Sequence, residues 1–196
     1  MKQAPWPIAA LLPHGGEAVL LDGVTGWDDE QLLATATIRA AGRYAQADGT
    51  LPAWLGLEIM AQAIGAWAGC RARETGQPVR LGFLLGTRRY ECNVDAFAPG
   101  MRLEVHAART FEDAAGMGVF ACALHHEGRL LAQARLNVYS PPDPGAFVHE
   151  SPLGHKSPLG HESSLGHESP LGHGSPLVQD PSPAHEAPAP THENPV

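Results

Sequence analysis

The chain has 196 residues and is acidic, with 13 Lys and Arg against 21 Asp and Glu for a formal net charge of −8. The charge is uneven: the last 56 residues hold 12 of the 18 prolines, seven of the 11 histidines, seven acids and one base, Lys156, so residues 1–140 carry 14 acids against 12 bases, a net of −2. A nearly neutral core with no basic run excludes the electrostatic footprint of a nucleic-acid binder, and three cysteines without C-x-x-C spacing (Cys70, Cys92, Cys122) predict reduced core thiols rather than a disulfide framework or a four-ligand metal site.

Pro7 to Leu12 reads as a short helix stopped by Pro13, and its five apolar residues, Ile8 to Leu12, are too few for an export leader. Glu17 to Thr25 and Leu32 to Arg39 read as two strands of a hairpin turning at Gly26 to Glu30. Pro52 to Glu74 predicts one long helix, with Pro in its first turn, Arg71 and Arg73 near its end and Gly76 just beyond. At 1.5 Å per residue it would span roughly 34 Å. Trp54, Leu55, Leu57, Ile59, Met60, Ile64, Trp67 and the alanines make it apolar nearly all round, which in a soluble protein predicts a helix enclosed by other structure. The same stretch, Leu51 to Cys70, would bury Glu58 and Gln62 in hydrocarbon if it crossed a bilayer, so no membrane insertion and a cytoplasmic location are expected.

Four further strands are expected at Val79 to Tyr90, Met101 to Phe111, Met117 to His125 and Arg129 to Tyr139, divided by Pro99-Gly100, Glu112 to Gly116 and Glu127-Gly128. Two strands, one enclosed helix and four more strands predict an α+β domain over residues 1–140, an antiparallel sheet wrapped around a central helix, as in the hotdog fold. Residues 141–196 form a second region. From Ser151 they repeat every six residues as SPLGHK, SPLGHE, SSLGHE and SPLGHG. One leucine per repeat buries too little surface to offset the entropy of ordering, which predicts a disordered Pro/His-rich tail. Its histidines at 155, 161, 167 and 173 would stand roughly 19 Å apart in an extended chain, too far to chelate a metal unless the chain looped back on itself.

Several strings in this order resemble one family. Leu12-Pro13-His14, Ala18 to Val24, Leu57 to Gln62, Gly82 to Gly86 and Ala98-Pro99-Gly100 are similar to FabZ-type 3-hydroxyacyl-acyl-carrier-protein dehydratases. Pro52 to Glu58 and the long string Gly82 to Cys92 resemble more closely the ApeP-like hotdog dehydratases of aryl-polyene synthesis. The likeness spans about residues 10 to 140. It implies a homodimer or heterodimer of hotdog subunits and an acyl carrier protein as partner. It also implies a tunnel beside the helix in which an acyl thioester on phosphopantetheine loses water, with no resident cofactor.

Such a reaction needs a base for the proton next to the carbonyl, an acid for the departing hydroxyl and donors for the developing oxyanion. Glu58 is the only acid between Gly49 and Arg73. Among apolar neighbours a carboxyl can hold and give up a proton near neutrality, with Gln62 one turn on to orient it, unless an arginine such as Arg88 neutralises it. In FabZ-type enzymes a histidine of an H-F-P-G turn lies fourteen residues ahead of the helix acid. Here that position is Tyr44, whose phenol is a poor base at neutral pH. His14, on the loop entering the first strand, is the internal substitute, or else a surface residue; His106 reads as a strand-face residue and His125-His126 as turn residues. Gly86 is either an oxyanion contributor or the site of a bulge, and with Gln62, Tyr44 and Leu85 it completes the expected substrate contacts. A non-catalytic half-site partner subunit and an acyl thioesterase are the alternatives to a dehydratase.

Overall fold

The computed structural model describes residues 1–141, so the repeats and histidines of the tail lie outside the described residues. Eight strands and one long helix make up the fold: β1 Gly23–Trp27, β2 Gln31–Thr37, β3 Leu51–Pro52, α1 Gly56–Glu74, β4 Phe83–Cys92, β5 Ala96–Phe97, β6 Arg102–Glu112, β7 Met117–His126 and β8 Arg129–Tyr139. Six strands form one antiparallel sheet in the order β1-β2-β6-β7-β8-β4.

The sheet closes on α1 because its strands alternate. Leu32, Ala34 and Ala36 of β2, Leu103, Val105 and Ala107 of β6, and Phe120, Cys122 and Leu124 of β7 point inward and are buried. They meet Ile59, Met60, Ala63, Ala66, Trp67 and Cys70 of the helix, each at most 2% exposed. Every large aliphatic side chain so enclosed contributes about 1.5–3 kcal/mol. The cysteines are free, and burial pushes the Cys70 and Cys122 thiols up to about 12, which suits packing rather than nucleophilic or redox work.

Four expectations are corrected. The short helix at Pro7 to Leu12 is a single 3-10 turn, Ile8–Ala10, between two prolines. The strand expected from Glu17 begins only at Gly23, because Gly16–Ala18 forms another 3-10 turn and the backbone at Ala18 and Leu20 bonds to the Gln62 side chain instead of to a strand. The helix starts at Gly56 rather than Pro52, after a 3-10 turn over Ala53–Leu55. Tyr90 decides this start: its hydroxyl donates to Ala53 O at 2.6 Å, and a Cβ on Gly56 would lie 2.3 Å from that hydroxyl oxygen.

The helix is also not fully enclosed. Glu58, Ala61, Gly65 and Ala72 are half-buried and Ala68 is exposed, a stripe along one side that the sheet does not cover. The two-residue pair β3–β5 has no sequence signal, being too short to show a period. Glu127 and Gly128 both take positive φ, 49° and 75°, the turn geometry that lets β7 and β8 pair directly.

Candidate active site

Glu58 sits in the first turn of α1, on the uncovered stripe. One turn later Gln62 is 2% exposed, and its amide is held on three sides. Its Oε1 accepts the Leu20 N–H at 2.8 Å, while Nε2 donates to Ala18 O at 2.8 Å and to Glu58 Oε1 at 2.9 Å. A backbone N–H can only donate and a backbone carbonyl only accept, so the amide has one orientation and must present N–H to Glu58. Oε1 of Glu58 is thereby committed as an acceptor, while its Oε2 has no hydrogen-bond partner among the described residues. We expect Gln62→Leu to lower stability by about 3 kcal/mol in urea unfolding, since it strands the Leu20 N–H and the Ala18 carbonyl away from water.

Glu58, Gln62 and His14 line one groove of about 460 Å³ that follows the helix to Thr75, roughly 26 Å along its axis. Ala61, Gly65, Ala68 and Ala72 floor it, and Leu81, Phe83 and Leu84 form the opposite wall. These small residues recur at one-face spacing along the helix, a pattern already present in the sequence. The groove holds a second carboxylate, Glu112, which pairs with both Arg71 and Arg109. Glu58 is different: no cation lies in ion-pair range among the described residues, and its neighbour is the neutral Gln62 amide. Arg88 is exposed and does not neutralise it.

Midway along the groove Trp67 is held by several contacts. Trp67 donates its indole N–H to Asp28 O at 3.0 Å, with the Arg71 and Arg109 guanidiniums 4.6 and 5.4 Å from its ring and Phe120 edge-on at 5.2 Å. Sequence reasoning takes Arg71 only as a helix-end charge and gives Trp67 and Glu112 no part in the groove.

His14 is exposed at the groove, on a loop tied to the helix. Arg73 Nε donates to Ala10 O at 3.0 Å, and Leu11 lies so close over Gly69 that a Cβ there would come within 2.1 Å of the Leu11 carbonyl oxygen. The other expected contacts are not brought to this groove. Tyr44 lines a separate recess of about 30 Å³ with Glu17, Leu20 and Ile59. Leu85 is 56% exposed, and Gly86, at φ 137°, marks a bulge in β4 just beyond the groove wall. His106 Nε2 is 2.9 Å from Gln31 Oε1 across β2 and β6, as a strand-face residue would be.

One long helix against a wrapped antiparallel sheet is the fold that the sequence resemblance implies, and family comparison agrees with that resemblance. The model of the ApeP-like family, described as ApeP dehydratase, matches residues 6–149. The chain belongs to the ApeP-like dehydratase family. Among solved structures it is similar to the dehydratase heterocomplex ApeI:P from Xenorhabdus doucetiae, at 32% identity over 74% of this chain and 99% of that chain, with a TM-score of 0.68. AziG of S. sahachiroi is 17% identical over 62% of this chain and 90% of that chain, at a TM-score of 0.48. No curated protein matches. Within this ApeP-like domain no helix among the described residues is long and apolar enough to cross a membrane.

Proposed function

We propose that this ApeP-like chain removes water from 3-hydroxyacyl groups held as thioesters on the phosphopantetheine of an acyl carrier protein, in fatty-acid-like or aryl-polyene synthesis. The observation that carries the reading is the state of Glu58: a carboxyl in an apolar groove, one oxygen committed to Gln62, the other free and no cation beside it among the described residues. The base takes the proton from C2, the C2–H electron pair forms the double bond, and the C3–O bond breaks as Glu58 Oε2 gives its proton to the departing hydroxyl. His14, on the same groove, serves as the base. The chemistry calls for no resident cofactor.

A second reading has its own support. Tyr44 stands where the resemblance places the turn histidine, and it faces a recess apart from Glu58. The chain then works as a half-site subunit beside a second hotdog dehydratase. The likeness to ApeI:P, a heterocomplex, supports such pairing.

One experiment separates the two. The purified chain, alone and with a companion hotdog dehydratase, is incubated with a 3-hydroxyacyl carrier-protein thioester, and the acyl mass is followed. Loss of one water with the chain alone supports the first reading, and His14→Gln is then expected to abolish it. Loss only with the companion, beyond what the companion achieves by itself, supports the second. Release of free acid in place of an enoyl thioester overturns both.

A further inference from the structure

Strand β4 carries an extra residue between Thr87 and Tyr90. Thr87 lies opposite Leu136 and Tyr90 opposite Ala134, so three steps along β4 match two along β8. Leu136 and Ala134 are both buried in the core, and opposed residues share a face, so the register sets Thr87 and Tyr90 toward the inside. In a regular strand residues three apart point to opposite faces, and Tyr90 would turn away from the helix. The bulge re-aims it. It is stitched by the Thr87 hydroxyl, which lies 2.8 and 2.9 Å from Arg89 O and Arg135 O and accepts the Arg89 N–H at 3.3 Å.

What Tyr90 meets is the start of α1. Its hydroxyl donates to Ala53 O at 2.6 Å, and the Gly56 N–H bonds the same carbonyl. A carbonyl oxygen has two lone pairs, so Ala53 O has none left for the Leu57 N–H that a continuous α-helix would send there. The 3-10 turn therefore changes to α-helix at Gly56, two residues before Glu58. Burial pushes the Tyr90 phenol well above its ordinary range, so it stays a donor at any working pH.

We propose that Tyr90 is a positioning residue: by holding the Ala53 carbonyl it fixes the first turn of α1, and so keeps the Glu58 carboxyl on Gln62 and in the groove. This deepens the dehydratase reading above and rests on it. The first turn of a helix frays readily, because its N–H groups have no intrahelical partners. Glu58 stands in that turn, whereas Gln62 lies one turn further in and is held by backbone. Small displacements there matter, since misplacing a catalytic group by about 1 Å costs about 10²-fold in rate.

Tyr90→Phe keeps the ring and removes only the hydroxyl. In the acyl-mass assay, run with the companion where the chain alone is inactive, Y90F is expected to lower kcat about tenfold with KM within about twofold of wild type. A second readout needs no turnover. One Gln62 Nε2 proton faces Glu58 and the other Ala18 O. In proton–nitrogen correlation spectra of Y90F the first is expected to move upfield while the second holds. Wild-type kcat in Y90F overturns the proposal, as does a fall in kcat with both Gln62 signals unmoved. The double variant Y90F/G56A separates positioning from space filling, because its added Cβ takes the place of the hydroxyl oxygen, 2.3 Å away. There kcat is expected to stay low, and its return to the wild-type value overturns the proposal. Full activity of E58Q removes the dehydratase reading instead, and the Gln62 signals then decide by themselves whether Tyr90 holds the first turn.

Discussion

Replacing Glu58 with Gln is expected to lower kcat for dehydration by about 10³-fold, or by whatever larger factor the assay can resolve, while leaving Tm within about 2 °C of wild type. The two halves of this expectation have separate physical sources. The substitution keeps the shape of the side chain, and the carbonyl oxygen of the introduced amide still accepts the 2.9 Å hydrogen bond from Gln62 Nε2, so the Gln62 amide stays on Ala18 and Leu20. Glu58 makes no ion pair among the described residues whose loss would cost stability. What disappears is a proton at the free oxygen. An amide neither delivers one to a departing hydroxyl nor recovers it, so the acid step fails in an intact groove. In the half-site reading the same loss is measured in the reconstituted heteromer. Full activity of E58Q, alone and with the companion, would remove Glu58 from the chemistry and the dehydration proposal with it.

The second large effect is expected at Gly69. An added Cβ there would lie 2.1 Å from Leu11 O, 2.8 Å from Leu11 C and 2.9 Å from Leu11 Cα, contacts with backbone that cannot rotate aside. Gly69→Ala must therefore push the Leu11 to His14 loop off the helix. Overpacking of this kind costs about 3 kcal/mol, against about 1 kcal/mol recovered from the better helix propensity of Ala. A net loss of about 2 kcal/mol corresponds to a fall of about 5–10 °C in Tm by differential scanning calorimetry. Gly65→Ala is the control. Its Cβ would meet only Leu12 Cδ2, at 3.2 Å, the end of a flexible side chain, so Tm is expected to stay within about 3 °C or to rise. If His14 is the base, G69A also loses activity at temperatures where it remains folded. Equal Tm for the two variants would show that Leu11 does not press on the helix as described.

Much of the fold was legible because it is written in long periodic segments. Strands β6, β7 and β8 alternate over ten or eleven residues, and their observed bounds lie within one residue of expectation. The helix was legible from its composition, and Glu58 from being the one acid in its apolar stretch. Errors gathered where a local pattern met a distant partner. Glu17 to Asp22 holds an apolar run, Ala18 to Leu21, that reads as a strand, yet Gln62, 42 and 44 residues away, takes the Leu20 N–H and the Ala18 carbonyl. The helix start moved because the Tyr90 hydroxyl arrives at Ala53 from β4. Gln62 was foreseen as a support for Glu58 from i, i+4 spacing, but not that both of its functional ends are held by backbone.

The sequence by itself therefore determined the wrapped-sheet architecture, through periods that survive any rearrangement of loops, and the family, through strings such as Gly82 to Cys92 that resemble it. The tertiary structure alone decided which carboxylate of the groove has no cation beside it among the described residues. Glu58 and Glu112 both line the groove, and only packing shows that two arginines occupy Glu112 while a neutral amide attends Glu58. It also decided that His14 shares the groove and Tyr44 does not. Ion pairing, exposure and shared cavities join residues far apart in the chain, and no local pattern encodes them.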